Sequence, residues 1–193
     1  MGGMALHEFI EHTRSKGRRG LYDEYAEIKS RTGPRSQEEF NRLFNTCCNM
    51  ENTTRNRYTD VHCYDHSRVK LGQKISGEST GTVVTNDYIN ANFVDGYRQP
   101  SAFIFTQGPL PKTFCDFWQM VWEQEVFLVV TLSSIDSQEC LPFWPSSGQI
   151  GETLSWENPT KTHQIRVVMI EEIDAPSRRA IRVSLEVIDI HLY

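Results

Sequence analysis

Apolar residues recur at helical spacing through the first quarter of the chain. Leu21, Tyr25 and Ile28 fall at i, i+4, i+7, and Phe40, Leu43 and Phe44 at i, i+3, i+4, so residues 4–44 read as helices. Ser36 and Glu39 stand three apart ahead of the second run, the spacing of a capping box. Gly20 and the pair Gly33-Pro34 punctuate this stretch. A further helix is expected to start at Thr113, capped by Thr113 with Asp116. Its Phe114, Phe117, Trp118, Val121 and Trp122 make one apolar stripe.

Between and after these helices the period shortens to that of strands. Residues 87–107 are rich in β-branched and aromatic side chains, and Asp95-Gly96 within them is a hairpin signal. Residues 127–132 form a short, continuous apolar run, expected as a strand buried on both faces. Residues 165–170 and 180–190 follow, the second alternating Ile181, Val183, Leu185 and Val187 against Arg182, Ser184 and Glu186. Residues 72–86 are rich in Gly, Ser and Thr and read as an exposed connection. Helices first, then strands with a helix among them, predict an α/β or α+β sheet domain. No segment repeats at a fixed period, which excludes solenoids and propellers.

Composition narrows the setting. Leu, Ile, Val and Phe make up about a quarter of the 193 residues, above the ~20% below which disorder is the default. That length suits one sizeable core rather than two. The formal net charge is −5, so no global positive field holds a polyanion and no nucleic-acid partner is expected. Residues 14–19 are a short basic cluster, read as a solvated helix end. The longest apolar run, 126–132, is far below the ~20 residues of a membrane span. The first residues lack the apolar core of a signal peptide, and Leu6 stands where a myristoylation signal needs Ser or Thr. Five cysteines without a C-x-x-C pair point to free thiols in a reducing cytoplasm. Asn52-Thr53-Thr54 has the form of a glycosylation acceptor and is read here as an ordinary loop asparagine. His62-Cys63 and Cys47-Cys48 lack zinc-ligand spacing, and no G-x-x-x-x-G-K-[ST] phosphate loop occurs, so neither a metal nor a cofactor is expected.

Four blocks then appear in a recognisable order. Asn56-Arg57-Tyr58-Thr59-Asp60-Val61 is followed by Tyr64-Asp65-His66-Ser67-Arg68-Val69-Lys70-Leu71. Next come Asp87-Tyr88-Ile89-Asn90-Ala91-Asn92, then Thr106-Gln107-Gly108-Pro109-Leu110-Pro111 leading into Asp116-Phe117-Trp118, and last Phe143-Trp144-Pro145. Together they resemble the tyrosine-specific protein phosphatases over roughly residues 20–145. The resemblance implies a highly twisted mixed sheet flanked by helices and hydrolysis of phosphotyrosine through a cysteinyl-phosphate. It implies that Tyr58 stacks on the substrate's phenyl ring and sets the pocket depth, a contact worth about 0.5–1.5 kcal/mol beyond burial. Asp60 would accept hydrogen bonds from the substrate's backbone N–H groups. Asn56, Arg57, Asp65 and Arg68 would support that loop, the last three through ion pairs. The block at 87–92 and the Trp118–Trp122 stripe would brace and fill the fold without touching a ligand.

The family's chemistry needs a thiolate of lowered pKa, an Arg that clamps the phosphoryl oxygens, and an Asp that protonates the leaving phenolate. The first two lie in one Gly-rich loop, His-Cys, five residues, Arg. In Val61-His62-Cys63 to Arg68 only four residues separate Cys from Arg and none is Gly, so this loop is not a phosphate nest. Trp144-Pro145-Ser146 has Ser where the family's Trp-Pro-Asp loop has its acid, and Phe143-Trp144-Pro145 fits a structural block of the family instead. Glu139-Cys140 stands where the family has Lys-Cys, an anion opposite the phosphate. No catalytic residue is therefore assigned. Residues 1–19 are expected as a helical extension and 20–193 as a partial phosphatase domain that stops before the nucleophile loop. The expected partner is a phosphotyrosyl protein or peptide, bound weakly. The alternatives are a non-catalytic phosphotyrosine-binding decoy and a regulatory or interaction module that associates through strand edges at 165–170 and 180–190.

Overall fold

A computed structural model describes residues 4–72, 86–132, 141–145, 149–158, 163–175 and 178–189. The connection at 73–85, the stretch holding Glu139 and Cys140, and Ser146 lie outside the described residues. Two compact units divide the chain, Met1–Arg42 and Leu43–Tyr193.

The first unit is built on helix α1, Leu6–Thr32. It breaks at Gly17, where φ is 58° and ψ −175°, a combination essentially restricted to glycine. Gly20, the expected break, continues the helix: spacing marks a glycine but not which glycine leaves helical geometry. The bend brings Lys16 to 2.8 Å and His12 to 3.6 Å from the Glu24 carboxylate. In a straight helix residues twelve apart would lie about 18 Å from each other. Leu21, Tyr25 and Ile28 are exposed, so the periodicity identifies the helix while its stripe lies outside the core. Gly33 ends α1 in extended conformation, its N–H on the Lys29 carbonyl at 3.2 Å.

Helix α2, Gln37–Cys48, starts as its sequence predicts. Ser36 Oγ accepts the Glu39 N–H at 3.1 Å, and the Glu39 carboxylate reaches back one residue further, to the Arg35 N–H at 2.8 Å. Such a cap stabilises a helix by about 1 kcal/mol. Within α2 the backbone departs from helical geometry at Phe44 (φ −132°, ψ 20°).

In the second unit, α3 (Met50–Thr53) precedes an antiparallel sheet of β1 (Arg68–Lys70), β2 (Tyr88–Gly96) and β3 (Gln99–Thr106), in that order. The turn between β2 and β3 sits two residues beyond the expected Asp95-Gly96. Gly96 still pairs with Gln99, and Tyr97-Arg98 turn the chain, with Arg98 at φ 63°. Gly96 is a packing glycine: a Cβ there would lie 2.8 Å from the Ala102 Cβ. The Asp95 carboxylate instead accepts the Ser101 N–H at 2.8 Å.

A 3₁₀ turn, Pro111–Thr113, leads into α4, Phe114–Glu123. Its Phe114, Phe117, Trp118 and Val121 are buried as the stripe predicts, whereas Trp122 is 48% exposed. The expected cap by Thr113 with Asp116 is not formed. Thr113 Oγ1 bonds back to the Leu110 backbone at 2.9 and 3.2 Å, bracing the 3₁₀ turn, and Asp116 is buried against Arg55. Phe143 sits among the rings of Phe114, Phe117 and Trp118, and its carbonyl accepts the Trp118 indole N–H at 2.8 Å. Full burial of one such aromatic contributes about 1.5–3 kcal/mol.

The second sheet, order β4-β5-β6, is antiparallel and joins β4 (Thr153–Glu157), β5 (His163–Ala175) and β6 (Arg178–Asp189). Ile165, Val167 and Met169 are fully buried and face Val187, Leu185 and Val183 across the ladder. Because β5 is central, residues 165–170 are not a free edge: both sides are paired. The α+β class holds, among the described residues as two three-stranded antiparallel sheets with helices.

Residues 127–132 belong to neither sheet. The expected buried strand is instead irregular chain with Phe127 98% and Leu132 96% exposed. Apolar composition supplies the drive toward burial but not the partner strands on both sides that a central strand needs.

Candidate functional site

The segment from 52 to 71 is held by side-chain amides. Asn52, buried in α3, donates to the Thr46 carbonyl at 2.9 Å and accepts from Asn86 at 2.6 Å. Asn52 therefore lies in a helix, not in a loop as expected, with its side-chain amide engaged on both sides. Asn56 is a hub: its Nδ2 donates to the Cys47 carbonyl at 2.9 Å, and its Oδ1 accepts from the Tyr88 hydroxyl and, at 3.0 Å, from Asn90.

Gln107 clasps both sides of Asn56. Its Nε2 donates to the Arg55 carbonyl and its Oε1 accepts the Arg57 N–H, each at 2.8 Å. The Arg57 guanidinium donates to the carbonyls of Gly108 (2.8 Å) and Pro109 (2.9 Å). Arg55 pairs with Asp116 at 2.6 Å. Burial outweighs that cation's pull and leaves the Asp116 carboxyl above its ordinary value of 3.8.

The expected supports thus act in different ways. Arg68 pairs with Asp87 at 3.0 Å, and the Arg57 guanidinium reaches the Gly108 and Pro109 carbonyls. Asp65 accepts the Thr46 N–H at 3.2 Å, and its own N–H bonds the Leu43 carbonyl at 2.8 Å. Asn92 donates to the Tyr64 carbonyl at 2.8 Å and to Ser67 Oγ at 3.0 Å, so the 87–92 block braces the turn.

Above this clamped base stand Tyr58, 48% exposed, and Asp60, exposed two residues on. The roles of Arg55 and Gln107 carry no periodic signal. Gln107 falls inside the Thr106–Pro111 block, but its targets lie 50 and 52 positions away in sequence.

Cys63 lies on the other side of the chemistry a nucleophile needs. It is 1% exposed, its thiol faces the carbonyls of Ala91 (3.6 Å) and Ile89 (4.0 Å), and burial raises its pKa. Burial likewise pushes the Cys47 and Cys115 thiols up to about 12. Among the described residues no group of three or more His, Cys, Asp or Glu is placed to hold a metal ion. Among them, too, no helix is long and apolar enough to cross a membrane.

Comparison with known proteins agrees with these blocks. The family model described as protein-tyrosine phosphatase matches residues 52–186. The mouse (Mus musculus) tyrosine-protein phosphatase non-receptor type 9 is 38% identical over 145 residues, 74% of this chain and 22% of that protein. The chicken (Gallus gallus) receptor-type tyrosine-protein phosphatase S is 41% identical over 147 residues, 74% of this chain and 9% of that protein. The human (Homo sapiens) receptor-type tyrosine-protein phosphatase F is 39% identical over 143 residues, 69% of this chain and 7% of that protein. The chain spans about a fifth or less of the length of these curated relatives. With the family model covering more than half of the chain, from the amide-held segment to β6, this chain belongs to the protein-tyrosine phosphatase family.

Proposed function

We propose that the chain carries the phosphotyrosine-recognition segment of a phosphatase domain and that these 193 residues alone do not hydrolyse phosphotyrosine. One observation carries this reading: Tyr58 and Asp60 stand exposed on a clamped loop, while Cys63, five positions before Arg68, is buried with a raised pKa. A phosphotyrosyl peptide would stack its ring on Tyr58 and direct backbone N–H groups at Asp60. Asn56, Arg57, Asp65 and Arg68 would keep that loop in shape. Binding is expected to be weak, because among the described residues no Gly-rich nest stands beside Tyr58 to hold the phosphate. Free thiols at Cys47, Cys48, Cys63 and Cys115 suit work in the reducing cytoplasm.

The experiment is a fluorescence titration of the chain with a phosphotyrosyl peptide, paired with a phosphate-release assay. Binding that exceeds that of the unphosphorylated peptide and is lost in Tyr58→Ala, without phosphate release, is expected. Phosphate release abolished by Cys63→Ser would overturn the inactive reading, and equal binding of both peptides would overturn recognition. The second reading, an interaction module, is favoured by β6, which is paired only with β5 among the described residues and leaves its other side for a partner strand. Concentration-dependent self-association without peptide binding would favour it.

A further inference from the structure

Cys47 and Cys48 close helix α2, and their sulfurs lie 3.8 Å apart. Both thiols are free. Cys47 is 1% exposed and donates to the Phe44 carbonyl at 3.2 Å, while Cys48 is exposed. An atom bonded to both sulfurs at about 2.3 Å, the length of a zinc–thiolate bond, would subtend an angle of about 110° at their present separation. That is the angle of a pyramidal or tetrahedral centre. A disulfide would instead need the sulfurs to close to about 2.0 Å, against the helical peptide between them. The protein supplies only these two donors, since no third His, Cys, Asp or Glu among the described residues completes a metal set. A centre that brings its own third substituent therefore fits best.

We propose that Cys47 and Cys48 form a dithiol chelate for a trivalent, thiophilic centre with one organic substituent, the class of the arsine oxides. Two S–As bonds form, while two S–H bonds and the As=O bond break. Both thiol protons leave with the oxygen as one water, and arsenic stays trivalent. Exposed Cys48 reacts first. Closure onto Cys47 is then intramolecular, which offsets the burial that keeps its thiol protonated.

The test treats the full chain with one equivalent of phenylarsine oxide, washes with excess monothiol, and maps arsenic by trypsin digestion and mass spectrometry. The tryptic peptide 43–55 contains Cys47, Cys48 and no other cysteine. Arsenic is expected on that peptide, resistant to monothiol and released by dithiothreitol. Cys48→Ser should weaken retention by about 100-fold, the loss of the chelate. Alkylating exposed Cys48 in the native protein before treatment should do the same without any substitution. Arsenic on peptides containing Cys63, Cys115 or Cys140, release by monothiol, or unchanged retention after Cys48 is removed would each overturn the proposal.

Discussion

Asn56 and Tyr58 are two positions apart in one motif and do opposite work. Asn56 is spent inward, on the Cys47 carbonyl, the Tyr88 hydroxyl and Asn90, whereas Tyr58 is half exposed. Removing the hub leaves buried polar groups unpaired, so Asn56→Ala should cost about 1–3 kcal/mol. Tyr58→Ala should stay within ~0.5 kcal/mol, as surface substitutions do. Urea unfolding followed by tryptophan fluorescence separates the two, and equal costs would contradict the hub. The motif named both residues without revealing this division, because the groups that satisfy Asn56 lie 9, 32 and 34 positions from it in sequence.

Helices and strands were legible where the signal is local. Ser36 caps α2 with its own third neighbour, and the alternation in β6 fixes its inward face whatever the sheet around it. What depends on distant chain was not legible. Thr113 and Asp116 have the spacing of a cap, yet Asp116 answers Arg55, 61 positions earlier. Residues 127–132 have the composition of a central strand, yet neither described sheet includes them. In α1 the deciding feature is one torsion. Alanine cannot hold the φ of 58° at Gly17 and favours helix by about 1 kcal/mol over glycine, so Gly17→Ala should straighten α1. Far-UV helical ellipticity should rise, and probes at positions 12 and 24 should separate toward about 18 Å. A probe distance unchanged from the bent form would contradict the glycine hinge.

Across the whole molecule, burial sets the response to alkali. The thiols of Cys47, Cys63 and Cys115 are all raised above their ordinary value of 9.0, chiefly by desolvation. Above that pH the unfolded chain has released protons that the folded chain still holds, so stability falls as pH rises from about 9. The urea midpoint should decline over that window, and Cys115→Val should flatten the decline; a midpoint indifferent to alkali would contradict it. Gln107, Gly108 and Pro109 have a consequence of another kind, for the order of assembly. They hold the loop around Asn56 from 50 to 52 positions downstream. Closing a loop of about fifty residues costs about 3.5 kcal/mol in chain entropy before any of these contacts forms. During synthesis the motif therefore leaves the ribosome long before its clasp, and the loop takes shape late. A synthetic peptide of residues 52–71 would carry every letter of the motif without the downstream clasp that shapes it.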